Sequence, residues 1–197
     1  MLGVGCSALN PFFVDEGKTI PKNQMKLQNR IRRVKLVVFD VDGVLTDGTI
    51  YLMPDGREVK AFNALDGTGI KYLDRAGIAA AILSGRRSGA VNHRAREVGV
   101  RYVLQGYKRK LAGLAKLARL AKVPPERMCF VGDDLPDIPV MEKVGFAVAV
   151  AGARPEVIRA AHWVTETGGG RGAAREVAEK ILKAQGKWRP IIARYGL

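Results

Sequence analysis

Residues Val34-Lys35-Leu36-Val37-Val38-Phe39 form an apolar, β-branched run of strand length that ends in Asp40-Val41-Asp42-Gly43-Val44-Leu45-Thr46. A strand with so few polar residues must be covered on both faces, as a central strand of a parallel sheet is. Side chains alternate along a strand, so Asp40 and Asp42 leave it on the same face. They do so at its carboxyl end, where open α/β sheets bind ligands. Two neighbouring carboxylates repel each other, and burying them is costly unless a cation compensates. Mg²⁺ suits the place: it is hard, takes oxygen ligands, and pairs one or two carboxylates with a substrate phosphate.

The rest of the chain supplies the partners such a strand needs. Thr49–Met53 and Glu58–Phe62 flank Pro54-Asp55-Gly56, which predicts a β-hairpin projecting just beyond the Asp pair. Asp66 reads as the cap of a helix that runs to about Ala76 and stops at Gly77. Strands are expected at Ile78–Leu83, Val100–Leu104, Met128–Val131 and Phe146–Val150, with a short edge strand at His162–Val164. Helices are expected over Ser88–Val98, Lys108–Ala121, Pro155–Ala160 and Ala173–Gln185, with a short one around Met141. In Lys108–Ala121, Leu111, Leu114, Leu117 and Leu120 are read as one apolar face. The alternation predicts an α/β fold with a doubly wound, mostly parallel sheet. Three segments are expected: an irregular extension over 1–33, one domain over 34–187, and a tail over 188–197.

Composition narrows the function classes. Apolar residues make up 47% and charged residues 26%, the balance of a globular domain. Cys6 and Cys129 are far apart, and Cys129 sits in an apolar run, so a disulfide scaffold is not indicated and a reducing cytoplasm is expected. No apolar run is long enough to cross a membrane, and the start of the chain lacks a basic segment typical of export signals. The net charge is +14. Lys18, Lys22, Lys26, Arg30, Arg32 and Arg33, against Asp15 and Glu16, give residues 1–33 a share of +4. The remainder is spread over the body without a long basic tract. With aromatic residues at only 7%, attraction of a small polyanion explains the sign as well as a nucleic-acid-binding module does.

Further polar residues fall at strand ends. Ser84-Gly85 follows the second buried strand, where a hydroxyl and a backbone amide can hold phosphate oxygens. Lys108, Arg109 and Lys110 open a helix, and any of them could neutralise an anion or simply face solvent. Gly132-Asp133-Asp134-Leu135-Pro136-Asp137 places three acids within five residues at another strand end, again calling for a cation. Asp133 reads as a ligand, Asp137 as its support, and Asp134 as either a ligand or a helix cap. Gly168-Gly169-Gly170-Arg171-Gly172 offers either a backbone nest or a hinge. His93 and His162 carry no assigned role.

Phe39-Asp40-Val41-Asp42-Gly43-Val44-Leu45-Thr46-Asp47-Gly48 resembles the first motif of the haloacid dehalogenase (HAD) superfamily of phosphatases. The fuller pattern, from about Val34 to Lys187, resembles its small branch, the 3-deoxy-D-manno-octulosonate 8-phosphate phosphatases. The resemblance implies a Mg²⁺-dependent phosphomonoesterase acting on a sugar-acid phosphate. Asp40 would attack phosphorus to form an aspartyl-phosphate, and Asp42 would protonate the leaving alcohol and then activate water. The spacing of Gln105-Gly106-x-x-x-Lys110 selects Lys110 as the phosphate-neutralising lysine. Asp40, the Asp42 carbonyl and Asp133 would hold the metal; Ser84 and Gly85 would hold phosphate; Arg86 and Arg171 would meet the substrate.

The hairpin, one helix and one strand use up the interval from Asp42 to Ser84, and one helix and one strand fill Ser84 to Lys110, so no cap domain fits. The resembling family closes its site by tetramerising through the hairpin, which implies a homo-oligomer here. Phe62-Asn63-Ala64-Leu65-Asp66-Gly67 matches the family except at Leu65, where a basic residue is expected. That departure keeps a nonulosonate 9-phosphate phosphatase, and the phosphatase-like subunit of a phenylphosphate carboxylase, beside the first reading.

Overall fold

The computed structural model describes residues 22–197, so the expectations for residues 1–21, Cys6 included, lie outside the described residues. At its centre, strand β1 (Leu36–Phe39) is fully buried. It pairs in parallel with β4 (Ala79–Ser84) on one side and β6 (Met128–Gly132) on the other. β5 (Tyr102–Gln105) pairs parallel to β4; β7 (Phe146–Ala151) and β8 (Trp163–Gly168) continue from β6. The order β5-β4-β1-β6-β7-β8 makes a six-stranded parallel sheet. The chain winds outward from β1 to β5, returns across the sheet, and winds outward again from β6. The return leaves a crevice at the carboxyl ends of β1 and its neighbours, the switch point where such sheets bind ligands.

Helices cover both faces. On one, α2 (Ala64–Arg75) packs against α7 (Ala173–Ala184) and α3 (Gly89–Val98); on the other, α4 (Lys110–Ala121), α5 (Ile138–Met141) and α6 (Pro155–Ala160) lie side by side. The α2–α7 contact is backbone-close. A Cβ at Gly69 would come within 2.7 Å of the Arg175 Cα.

Several expectations change: the cap of α2 is Asn63, not Asp66. The segment read as irregular before Val34 contains helix α1 (Lys22–Arg32), whose Leu27 and Ile31 pack on the core four residues apart. Residues 188–197 do not trail as a tail: α8 (Trp188–Ile192) buries Ile191, and the Tyr195 and Tyr72 hydroxyls lie 3.0 Å apart. The edge strand is longer than His162–Val164. In α4, Leu114 and Leu117 are buried, but Leu111 and Leu120 are 42% and 53% exposed. A three-residue step falls about 60° short of a full turn, so the leucine row drifts off the core. The buried line is instead Lys110, Gly113, Leu114, Leu117. The register that packs α4 on the sheet therefore turns Lys110 inward.

The hairpin is small, with β2 (Tyr51–Leu52) paired antiparallel to β3 (Glu58–Val59), and stands clear of the main sheet. Among the described residues, no helix is long and apolar enough to cross a membrane.

Candidate active site

Asp40 follows β1 directly, its amide donating to the Val131 carbonyl at 3.1 Å, so the sheet ladder fixes its backbone. The chain then folds tightly on itself: the amides of Val44, Leu45 and Thr46 all donate to the Val41 carbonyl. Gly43, at φ +85°, is required twice over. The conformation favours glycine, and a Cβ there would lie 2.0 Å from the Asp133 Oδ2. That approach brings the loop after β1 against the loop after β6.

Asp137, wholly buried, organises the acidic cluster. Its Oδ2 accepts from the amides of Asp133 (3.0 Å) and Asp134 (3.3 Å), and its Oδ1 meets the Lys110 Nζ at 2.5 Å. Lys110 also meets the Asp40 Oδ2 at 2.9 Å. Both Asp137 oxygens are thus engaged by donors, which suits a supporting carboxylate. Asp134 stands at the cap of the short 3₁₀ turn Leu135–Asp137. Acceptor oxygens of Asp40, Asp133 and Asp137 lie within 4.8 Å of one another. The Asp133 Oδ1 is buried with no hydrogen-bond partner. Burial, helped by the charge of Asp137, outweighs Lys110 and pushes Asp40 up to about 6. Burial beside Asp40 and Asp137 pushes Asp133 up to about 7. Burial works against the Lys110 charge, but Asp40 and Asp137 prevail and hold its pKa above the usual lysine range. Such a crowded pair of carboxylates, one with an unused buried oxygen, fits a hard divalent cation.

One cleft of about 550 Å³ gathers residues from four chain segments: Asp40 and Asp42 after β1, Ser84 at the end of β4 with Gly85 and Arg86 beyond it, Lys110 on α4, and Asp133 after β6. Lys108 also lines it, on an exposed turn. Ser84 is buried, and its Oγ accepts from the Arg86 amide at 3.3 Å. The Gly106 amide donates to the Arg86 carbonyl and the Tyr107 amide to the Ser84 carbonyl, so the loop after β5 braces this turn. Arg86 meets the Glu58 Oε2 at 2.9 Å and the Asp42 Oδ2 at 3.7 Å.

Arg171 is not in this cleft. It is exposed and lines an adjoining hollow of about 440 Å³ with Asp47 and Thr49, sharing only Gly48 and Asp133 with the first. Nor do its flanking glycines form a free nest. The Gly170 amide donates to the Val44 carbonyl at 2.9 Å, and a Cβ on Gly169 would sit 1.7 Å from the Gly43 carbonyl oxygen. The glycines let this loop lie flush on the loop that carries Asp42. A larger hollow of about 820 Å³ beside β5 holds no carboxylate and none of the predicted site residues.

Two charged residues escaped the sequence reading. Lys60 follows β3 with its side chain 2% exposed, its ammonium bonded to Asp42 and lying 2.5 Å from the Glu58 Oε1. Burial opposes the Lys60 charge, but these two carboxylates outweigh it and raise its pKa. The signal was Glu58-Val59-Lys60 itself, charges at a spacing of two on a strand.

Comparison with known proteins adds an independent line. Residues 103–176 match the family model of haloacid dehalogenase-like hydrolases. The 3-deoxy-D-manno-octulosonate 8-phosphate phosphatase KdsC of Escherichia coli (strain K12) is 46% identical over 158 residues, 80% of this chain and 84% of the relative. A probable YrbI family phosphatase from Pseudomonas syringae superposes with a TM-score of 0.85 at 46% identity, over 88% of this chain and 98% of that one. The 3-deoxy-D-manno-octulosonate 8-phosphate phosphatase of Moraxella catarrhalis, solved with magnesium, phosphate and KDO, gives 0.84 at 36% identity, over 86% and 98%.

Proposed function

The chain belongs to the 3-deoxy-D-manno-octulosonate 8-phosphate phosphatase family of haloacid dehalogenase-like hydrolases, and on that premise we propose how its residues divide the work. It is a phosphatase; its substrate is the 8-phosphate of this sugar acid and its cofactor is Mg²⁺. One Asp40 oxygen attacks phosphorus while the bond from phosphorus to the sugar oxygen breaks, and the departing oxygen takes the Asp42 carboxyl proton. The Asp42 carboxylate then removes a proton from water. That water's oxygen attacks the aspartyl-phosphate, and the bond from phosphorus to Asp40 breaks, releasing phosphate and restoring both carboxyl groups. Ser84, the Gly85 amide and Lys110 hold the equatorial phosphate oxygens, with Lys110 fixed by Asp137. Arg86 serves the sugar-acid carboxylate. Asp40, Asp133 and the Asp42 carbonyl would hold Mg²⁺, which would supply charge neutralisation at the phosphoryl group.

The observation that carries this reading is the convergence of Asp40, Asp133 and Lys110 from three separate strand and helix ends. The enzyme works as a homotetramer joined through its hairpins, so that Arg171 of one subunit approaches a neighbour's cleft, and it works in the cytoplasm. Phosphate release from the 8-phosphate, beside a nonulosonate 9-phosphate as comparator, tests the assignment. Wild type should hydrolyse the 8-phosphate with added Mg²⁺, and Asp40→Asn should abolish turnover while keeping the wild-type melting temperature. Full activity in purified Asp40→Asn would refute the nucleophile.

A further inference from the structure

β3 and the residue after it do two jobs on two sides. Side chains alternate along a strand, so Val59 points outward, 48% exposed, while Glu58 and Lys60 turn toward Arg86 and Asp42, which line the cleft. The Lys60 side chain is all but inaccessible, and its ammonium is shared between the Asp42 Oδ1 and the Glu58 Oε1. The second oxygen of Glu58 holds Arg86, whose Nε stands 3.7 Å from the Asp42 Oδ2. Each oxygen of Asp42 therefore faces one cation, and both cations are anchored on the same carboxylate of the hairpin.

A buried ammonium is tolerated only when paired, and pairing with two carboxylates keeps Lys60 charged. It is thus a fixed point rather than a proton donor. Asp42, by contrast, lies in a loop beyond the strand end and has two free side-chain torsions. An acid that must deliver its proton to one particular oxygen gains from having those torsions set in advance, since misplacement by about 1 Å can cost on the order of 10²-fold in rate.

We propose that Lys60, clamped by Glu58, is a positioning residue that holds the Asp42 carboxyl in line with the leaving oxygen, making the projecting hairpin part of the acid–base machinery. The inference rests on the reading of Asp42 as the acid–base group. It predicts a specific kinetic signature, because only poor leaving groups need the proton.

The test measures kcat/KM, which reports the steps through transfer to Asp40, for small phosphate monoesters without a carboxylate. Their leaving groups run from nitrophenol through phenol to a simple alcohol. Wild type should show a shallow dependence on leaving-group pKa. Lys60→Met should lose about 10- to 100-fold on the alkyl ester and under about threefold on the nitrophenyl ester. Asp42→Asn should steepen the same plot further, and Lys60→Arg should restore much of the wild-type slope. Glu58→Gln, which keeps the hairpin's shape, supplies the same readout if Lys60→Met folds poorly. An unchanged slope, or an equal loss on every ester, overturns the positioning role while leaving the phosphatase intact. A wild-type enzyme inactive on all the esters and on the sugar-acid phosphate would overturn the functional reading itself.

Discussion

Asp66, in the first turn of α2, accepts a hydrogen bond at 3.0 Å from the backbone amide of Arg175 on α7, 109 residues away. Its other oxygen accepts from the Gly172 amide at 3.3 Å. A carboxylate borrowed from another helix thus satisfies the first amides of α7, and α2 is capped by Asn63, whose side chain accepts from the Leu65 amide. The same bond anchors the glycine loop that lies on Gly43. Asp66→Ala should lower stability by about 2 kcal/mol, the upper end for a lost cap, because it leaves two amides without a partner and that of Gly172 is buried. Urea unfolding would show this as a lower midpoint at unchanged slope. A loss under a few tenths of a kcal/mol would contradict it.

That pair also marks where sequence reading stopped. The parallel sheet was legible from its apolar runs, and the Asp pair and Asp133 because each is an acid at the end of one, so local pattern is enough to find them. Asp66 sits at a helix start, so the local rule gave it its own helix; only tertiary packing at Gly69 brings α7 within reach. Lys110 needed the family spacing to be separated from Lys108 and Arg109. In the fold the distinction is physical, since only Lys110 lies on the buried face of α4. Helix α1 went unread because its apolar stripe, Leu27 and Ile31, is thin and set among polar residues.

The acidic cluster makes stability depend on pH and metal together. Asp40 and Asp133 are pushed up to about 6 and about 7 from an ordinary value near 3.8. Between those limits the metal-free folded protein holds protons that the unfolded chain releases, so its stability should fall as pH rises from about 4 to 7. Bound Mg²⁺ compensates the charge and removes that loss. The melting-temperature gain from saturating Mg²⁺ should therefore be larger at pH 8 than at pH 5, where protons compete for the same oxygens. Equal gains at both values, measured by scanning fluorimetry, would argue against a cation at these carboxylates.

The glycine loop before α7 can be tested by contrast within one segment. A Cβ at Gly169 would lie 1.7 Å from the Gly43 carbonyl oxygen and 2.9 Å from that of Thr46, backbone atoms with nowhere cheap to move. At Gly172 the conformation is left-handed, φ +111°, but nothing lies within 4 Å of the position. Gly169→Ala should displace the loop carrying Asp42 and cut turnover on the order of 10²-fold. Gly172→Ala should cost about 1 kcal/mol of stability and leave turnover nearly intact. Comparable kinetics for the two variants would mean that the loop contact does not set the site.

The hairpin leads to the last expectation. Ile50, Tyr51, Leu52, Met53 and Val59 are 45–68% exposed on a ribbon whose paired strands are two residues each. So short a ribbon is marginal alone, because it has too little surface to bury its own apolar side chains. Yet its Glu58 and the following Lys60 must hold fixed positions over Asp42, which requires the ribbon to be rigid. An exposed apolar patch of this kind marks an interface, and closed symmetric assembly would cover the patch and stiffen the ribbon together. Light scattering should then give a tetramer for wild type and a smaller species for the Tyr51→Asp, Val59→Asp double variant. The variant should also lose activity on alkyl esters more than on nitrophenyl esters, since the Lys60 clamp loosens with the ribbon. A monomeric wild type, or a tetramer that survives both charges, would dismiss the hairpin as the assembly surface.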